Sequence, residues 1–370
     1  MEKEKKIIIG VSITLSLLGL FMIYSSSYVW SEFKFNNKYH YALYQGIFLL
    51  IGLVIYKLIL NINLDLIKKN INKLLLIGII LLVLVSIPGI GVLRNGSRSW
   101  FKLGPFSFQP SEFIKLVLII FTSKYLEKYH TKINNIKSHL MPILFMLFFI
   151  ILLIMLEPDF GSSFIIISAI ALMIFVSGLK SKIILYSVLF ALFGFAGLIF
   201  AAPYRVLRII SFINPWSDPL GSGYQIIQSL YAISPGGLFG QGLFLSRQKH
   251  FYLPEPQTDF IFSIICEELG IITAVLILIL FFLLIYNIFK VSYKQNNLFY
   301  KFLSFGIGAV LSVQTLINLS VVVGNIPVTG VTLPFFSYGG SSLITTIVCI
   351  SIIINIINRT NVWPYILKVL

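Results

Sequence analysis

Four carboxylates crowd into 19 residues, Tyr252–Gly270, YLPEPQTDFIFSIICEELG, of a chain that holds 13 acidic residues in all. They are Glu255, Asp259, Glu267 and Glu268, and they stand where a Pro-rich segment runs into a long apolar stretch. A carboxylate at or inside a bilayer costs about 2.5–3.5 kcal/mol on insertion scales, so a chain that keeps four at one membrane entry uses at least one of them. Thr258 has the chemistry of an N-cap, and Asp259 would then open the helix. Two roles stay open for Asp259: a capping acid stabilised by the helix dipole, or a working base or cation ligand. A dipole-stabilised carboxylate suits those tasks more than proton donation. Glu267 would lie about 12 Å further along the axis and about 80° around, with Glu268 nearly opposite Asp259. This is not the touching carboxylate pair of a glycosidase. Glu267 and Glu268 are read as structural, paired with basic residues on neighbouring helices, and Glu255 as a loop contact to substrate.

A second constellation is QPSEFIKL, Gln109–Leu116. Pro110 and Ser111 start a helix and Glu112 suits its positive end. A Glu112–Lys115 pair at i,i+3 contributes only a few tenths of a kcal/mol in water, roughly. Inside a membrane the cost of the charges favours a functional role, with Lys115 placed to meet a buried phosphate. In EPDFGSS, Glu157–Ser163, Pro158 ends one helix and Asp159 is read as a structural cap of the next. The glycine cluster SPGGLFGQG, Ser234–Gly242, lacks the βαβ context of a dinucleotide fingerprint and reads as a flexible turn whose amides could meet an anion. Arg98, Lys102, Arg205, Arg208, Arg247 and Lys249 form a basic set outside the membrane. They would serve lipid headgroups or pair with Glu255 and Asp218, or they would bind an anionic substrate, for which Arg offers bidentate phosphate contact. Arg98, Arg205, Arg208 and Lys249 are carried forward as substrate contacts. In IPVTGVTLPFFSYGGSS, Ile326–Ser342, Pro334, Gly339 and Gly340 interrupt an apolar region. Broken backbone at membrane depth is tolerated where it lines a cavity or is buried in protein. His40, His130, His139 and His250 are too scattered for a zinc site.

The elements that must hold these residues are membrane helices. The chain is 58% hydrophobic and 11% charged, with a mean hydropathy of +0.95, far from the ~25% charge of a soluble domain. Apolar runs of about 20 residues recur throughout. Ten spans are predicted, at 7–28, 41–60, 74–92, 111–127, 140–156, 160–178, 183–202, 259–287, 301–323 and 341–357. The expectation is an all-α polytopic membrane protein, one integral membrane domain over 1–370, with a large extracytoplasmic loop at 203–258 between spans 7 and 8. The first run lacks a small-residue cleavage site and reads as an uncleaved span. The side holding the N-terminus carries 18 of the 28 basic residues against four acids, so both termini are expected to be cytoplasmic. The lysines are spread over short loops, which argues against nucleic acid as a partner. No phosphate-loop motif GxxxxGK[ST] occurs, which disfavours ATP-driven transport. Within the large loop, GYQIIQSLYAI places Ile226, Ile227, Leu230 and Ile233 on one face, as for a short helix in the outer interface. Cys266 and Cys349 fall inside spans, against a disulfide framework.

These motifs, in this order from about residue 94 to 342, resemble the SEDS family (shape, elongation, division and sporulation). The segments NPWSDPLGSGYQ and FYLPEPQTDFIF resemble the FtsW and SpoVE branches more than their RodA relatives. The resemblance implies a multi-pass protein of the bacterial cytoplasmic membrane that polymerises lipid II into glycan strands at the outer face, for division or sporulation. It implies inverting glycosyl transfer with undecaprenyl pyrophosphate leaving, and it places the essential acid at Asp259. A divalent cation (Mg or Mn) held by Asp259 is left open. Implied partners are a class B penicillin-binding protein, a single-span transpeptidase, and other divisome or elongasome membrane proteins. Three other functions stand beside this one: a lipid II flippase working through Lys115, an elongation-type polymerase, and a non-enzymatic septal scaffold.

Overall fold

The computed structural model describes residues 1–94, 97–104, 106–180, 182–183 and 212–369, of 361–369 the backbone alone. The predicted span at 183–202, Arg205 and Arg208 lie outside the described residues. Ten α-helices are described: α1 Glu2–Phe35, α2 His40–Asn61, α3 Leu64–Ser86, α4 Pro110–Tyr129, α5 Met141–Leu156, α6 Phe160–Val176, α7 Tyr224–Ile233, α8 Ile261–Tyr293, α9 Leu298–Val322 and α10 Gly340–Val369. Seven helical stretches among the described residues are long and apolar enough to cross a membrane, and α6 is a shorter apolar helix. α4, the predicted span at 111–127, carries more charge than the apolar windows of those seven, and most of it is buried between α3, α6, α9 and α10. The chain is a multi-pass membrane protein whose centre is α9 and α10. In the apolar windows of these two helices 67% and 83% of residues are buried, against 22% for α2 and α3, which face outward.

Several predicted boundaries move. α3 begins ten residues before the predicted 74, because Asn63 caps it by accepting from the Asp65 N–H at 3.0 Å. Lys68, Lys69 and Lys73 are therefore helical residues and not a loop. The segment read as a loop at 93–110 is a small antiparallel meander, so the fold is not purely α-helical. Its strands are β1 Val92–Arg94, β2 Ser97–Leu103 and β3 Phe106–Phe108, in register at Val92 with Trp100 and at Phe101 with Phe108. The polar and apolar alternation of SRSWFKL and the Asn95-Gly96 dipeptide are strand and hairpin signals, masked by the hydrophobicity of the flanking spans.

The end of the bundle that carries this sheet also gathers the starts of α4, α6, α8 and α10. At the opposite end the N-terminus meets the later part of α10, with the Thr360 hydroxyl 3.7 Å from the Met1 sulfur. There Glu4 draws Lys290 to 3.1 Å and Lys294 to 2.9 Å, fastening α1 to the end of α8.

Candidate active site at the sheet end of the bundle

Asp259 does not open a helix. α8 starts at Ile261 with Phe260 as its N-cap, and no side chain caps it. Thr258 is engaged elsewhere: its hydroxyl lies 2.7 Å from both the Glu255 carbonyl and Asp259 Oδ1, and its single proton serves one of them at a time. Residues 255–258 form a tight turn closed by the Thr258 N–H to the Glu255 carbonyl, 3.1 Å. Glu255 sits in it at φ 45°, exposed. Asp259 is thus a half-buried carboxylate just ahead of a helix start, within reach of the positive end of the α8 dipole. Its backbone is clamped. Asn318 of α9 donates to the Asp259 carbonyl at 2.7 Å, and the Tyr338 N–H donates to the neighbouring Gln257 carbonyl at 2.8 Å.

Lys115 is buried and its ammonium is engaged. It donates to Glu112 Oε1 at 2.9 Å and to Gln314 Oε1 at 3.1 Å. Gln314 in turn donates to the Thr332 carbonyl at 3.0 Å. Asp159 caps α6 by accepting from the Ser162 N–H at 2.9 Å, while its other oxygen accepts from Ser111 at 2.9 Å and Gln109 at 3.0 Å. That one carboxylate ties the starts of α4 and α6 together. The broken stretch before α10 is buried in protein over 331–337, Thr332 being partly exposed, as irregular backbone at this depth requires. Pro334 is buried, the Gly339 N–H reaches Gln45 Oε1 at 3.4 Å, and Gly340 opens α10 against the ring of Phe48.

The glycine cluster is not a flexible anion-binding turn. It fills a break in α8 that the apolar pattern conceals. Gly270, at φ 75° and ψ 177°, splits α8 into arms 261–269 and 271–293. A break leaves orphan carbonyls on the first arm and orphan N–H groups on the second, and the loop satisfies both. Gln241 and Gly242 donate to the carbonyls of Glu267 and Glu268 at 2.8 and 3.0 Å, while Ile271 and Ile272 donate to the carbonyls of Gly237 and Leu238 at 3.0 and 3.2 Å. Gly240 and Gly270 meet backbone to backbone, and a Cβ on either would strike the other's chain. The one signal in the sequence is a lone glycine inside an apolar helical pattern.

Glu267 and Glu268 take their charged and backbone partners from the continuation of this loop and not from basic residues on neighbouring helices. Glu267 accepts from the Arg247 N–H at 2.8 Å and from the Ser246 hydroxyl. Glu268 pairs with Lys249 and accepts from Ser25 of α1. Lys249, expected as a substrate contact, is fully buried, with its ammonium 4.8 Å from the Tyr28 ring centroid and 5.7 Å from that of Phe244. Of the other basic candidates, Arg98 is half-buried on β2 and Lys102 is exposed beside it. α7 packs its apolar face on α8 and α9, with Ser229 donating to the Val322 carbonyl at 2.7 Å.

Glu157, in the turn between α5 and α6, has no spacing that marks it in the sequence. Its side chain is fully buried, and neither carboxylate oxygen has a hydrogen-bond partner among the described residues. Burial, with a smaller contribution from the charge of Asp159, pushes its carboxyl up to about 9. Its carbonyl accepts from Ser97 at 2.7 Å and Ser99 at 2.9 Å, which seats β2 on this turn. Among the described residues no three His, Cys, Asp or Glu side chains converge as a metal-binding group.

Residues 5–362 match the family model described as cell cycle protein, FtsW/RodA/SpoVE. The chain is 46% identical over 357 residues to stage V sporulation protein E of Bacillus subtilis (strain 168), covering 96% of this chain and 98% of that protein. It is 37% identical over 359 residues to a probable peptidoglycan glycosyltransferase FtsW of Geobacter sp. (strain M18), covering 97% and 98%. Among solved structures it superimposes with a TM-score of 0.77 and 28% identity on a chain of a peptidoglycan synthase complex described as coordinating polymerization and crosslinking, over 95% of this chain and 97% of that one. The rod shape determining protein RodA of Thermus thermophilus gives a TM-score of 0.70 and 27% identity, over 95% of each chain.

Proposed function

The chain belongs to the FtsW/RodA/SpoVE family of cell cycle proteins, and from that premise we propose that it is a peptidoglycan glycosyltransferase that polymerises lipid II, with Asp259 as the base. The observation that carries the residue assignment is the setting of Asp259: a half-buried carboxylate ahead of the α8 start, its backbone clamped by α9. In the reaction a sugar hydroxyl of the acceptor attacks the anomeric carbon of the donor. The new C–O bond forms as the bond to the lipid pyrophosphate breaks, and configuration at that carbon inverts. The hydroxyl proton passes to Asp259, and the electron pair of the broken bond leaves with the pyrophosphate. An ionised carboxylate near a helix N-terminus suits the accepting role. Arg98 and Lys102 on β2 carry positive charge on the same end of the molecule, where it can offset the leaving group.

Asp259 is the residue that would hold a divalent cation, with phosphate oxygens and water as its remaining ligands, the usual manner of Mg²⁺. Such a cation would neutralise charge on the departing pyrophosphate. The 46% identity to the sporulation relative and 37% to the division relative, against 27% to RodA, supports a division or sporulation role. A solved relative working within a peptidoglycan synthase complex supports a crosslinking partner, for which a class B penicillin-binding protein fits. The flippase alternative depends on Lys115, whose ammonium Glu112 and Gln314 already engage.

The test is glycan-strand formation from lipid II by the purified full-length protein with its transpeptidase partner in proteoliposomes. Asp259→Asn is expected to polymerise about 10²–10⁴-fold more slowly, the usual worth of a general base. Wild-type speed from that variant would remove Asp259 from the reaction.

A further inference from the structure

Asn318 lies on α9, in a stretch where apolar residues dominate, and its side chain is fully buried. Its amide group makes two hydrogen bonds, to the Asp259 carbonyl at 2.7 Å and to the Val331 carbonyl at 2.8 Å. Both acceptors are carbonyls, so the nitrogen must be the atom that faces them. One turn earlier on the same helix face, Gln314 donates to the carbonyl of Thr332 and accepts from Lys115. Two carboxamides at i,i+4, about 6 Å apart along the axis, thus grip the consecutive carbonyls of Val331 and Thr332. Each reaches outward to one candidate site residue, Asn318 to Asp259 and Gln314 to Lys115.

From this juxtaposition we infer that Asn318 is the positioning residue for Asp259: through the Asp259 carbonyl it fixes the carboxylate against the acceptor hydroxyl. The inference rests on the polymerase reading for its chemistry, though not for its geometry. Turn 255–258 is closed at one point, the Glu255 carbonyl, which accepts from the Thr258 N–H and from the Thr258 hydroxyl when that proton is not on Asp259, and it carries a left-handed Glu255, so it has little stiffness of its own. A carboxylate carried on such a turn keeps its place only if the backbone is held from outside. The first arm of α8 cannot do this alone, because Asp259 precedes its N-cap. The α9 amide reaches the Asp259 backbone itself and couples it to the rigid centre of the bundle.

The probe is lipid II in proteoliposomes, with kcat counted per site that binds it, so that misfolded protein drops out. Asn318→Leu keeps the branched heavy-atom shape, with somewhat greater bulk, and removes the donor. It is expected to lower kcat about 100-fold while moving KM less than about three-fold, the scale of a 1 Å misplacement. The loss should vanish in an Asp259→Asn background, since a residue acting only through Asp259 has nothing left to position. Asn318→Gln retains the carboxamide and should stay within about ten-fold of wild type. An undiminished kcat for Asn318→Leu, or a further loss of equal size in the Asp259→Asn background, would overturn the inference. Amide exchange supplies a reading independent of turnover. In Asn318→Leu residues 255–260 should exchange at least about ten-fold faster, with the rest of α9 unchanged. A wild-type protein that does not extend lipid II would end the polymerase reading and leave the clamp to this measurement, where unchanged exchange at 255–260 sinks it.

Discussion

Lys249→Met should destabilise the protein substantially, and a second substitution should repair it. Lys249 and Glu268 pair with 0% exposure on both side chains. Glu268 also accepts from Ser25, and the ammonium faces the rings of Tyr28 and Phe244. Methionine preserves the apolar stem in this aromatic setting but leaves the carboxylate with Ser25 as its remaining donor. Removing one member of a buried pair costs about 3–5 kcal/mol, whereas replacing both by apolar groups is often near neutral. Unfolding entropy near 2.1 cal/mol/K per residue over 370 residues is roughly 0.8 kcal/mol/K, so the loss corresponds to a Tm lowered by about 4–6 °C. The assay is thermal unfolding of the purified full-length protein in detergent, followed by intrinsic fluorescence, for Lys249→Met and for Lys249→Met with Glu268→Leu. The double variant should recover at least about half of the lost Tm. A single variant within about 1 °C of wild type, or a double variant below the single, would refute a structural role for the pair and return Lys249 to the substrate contacts.

Glu157 gives the pH dependence. Its folded-state carboxyl is raised from 4.5 to about 9, so between those values the folded chain keeps a proton that the unfolded chain has released. Stability therefore falls as pH rises through that window, by at most about 1.4 kcal/mol per pH unit, and levels off above it. Tm measured from pH 5 to pH 8.5 should fall less in Glu157→Leu than in wild type; parallel slopes would show that the buried acid is not what titrates. Gly270→Ala places a Cβ against Gly240 at φ 75°; the loop must leave the break, and we expect loss of several kcal/mol, roughly the worth of two or more buried hydrogen bonds. Tm and amide exchange over 236–242 check this, and Gly10→Ala, where a Cβ meets nothing within 4 Å, serves as the neutral control.

Membrane helices were legible because an apolar run of about twenty residues matches the hydrocarbon thickness and is too long for an ordinary core segment. Nine of the ten predicted spans coincide with described helices, the tenth lying outside the described residues. Misreadings arose where backbone partners come from far along the chain. Thr258 has cap chemistry, but a cap must accept from a backbone N–H of the first turn, and the helix starts at Ile261, past the reach of Thr258, whose hydroxyl donates to Glu255 or Asp259 instead; a local spacing rule cannot see that shift of the start. Charged pairs in a bilayer usually join helices, so the sequence directs Glu267 and Glu268 to partners there. The break at Gly270 instead brings a loop to their level, and that loop supplies Arg247 and Lys249. The sheet was hidden by its setting: β1 and β3, of three residues each, leave no periodicity to count, and the alternation of the seven-residue β2 stands between strongly apolar spans. Asn318 and Gln314 could have been found as a pair of carboxamides at i,i+4 in an apolar run, a pattern that favours interhelical hydrogen bonds.

The distribution of polar groups inside the bundle bears on transfer versus transport. Asp159, Glu112, Lys115, Gln314, Asn318, Thr332 and Ser342 all lie toward the sheet end, joined by hydrogen bonds through α4, α6, α9 and the stretch before α10. Past Lys115 the interior is mostly aliphatic, with Thr122, Ser123, Ser304, Ser351 and Asn355 among its buried polar exceptions. The void beside it, lined by Leu116, Ile119, Ile307, Val310, Thr345 and Cys349, has a volume of about 10 Å³, about the room of one water. Beyond it α10 presents Ile350, Ile353, Ile354 and Ile357, all buried. A lipid-linked disaccharide carries hydroxyls and phosphates that need polar partners at every depth, or cost several kcal/mol each, roughly, where they find none. Among the described residues this conformation offers a connected polar network at the sheet end, and in the other half scattered hydroxyls and side chains such as Asn355, whose amide the Ile59 and Ile62 carbonyls already engage. A substrate that reacts at the sheet end meets Asp259 and the cations of β2 without crossing the isoleucine-rich half, as a glycosyl transfer requires and a flippase does not.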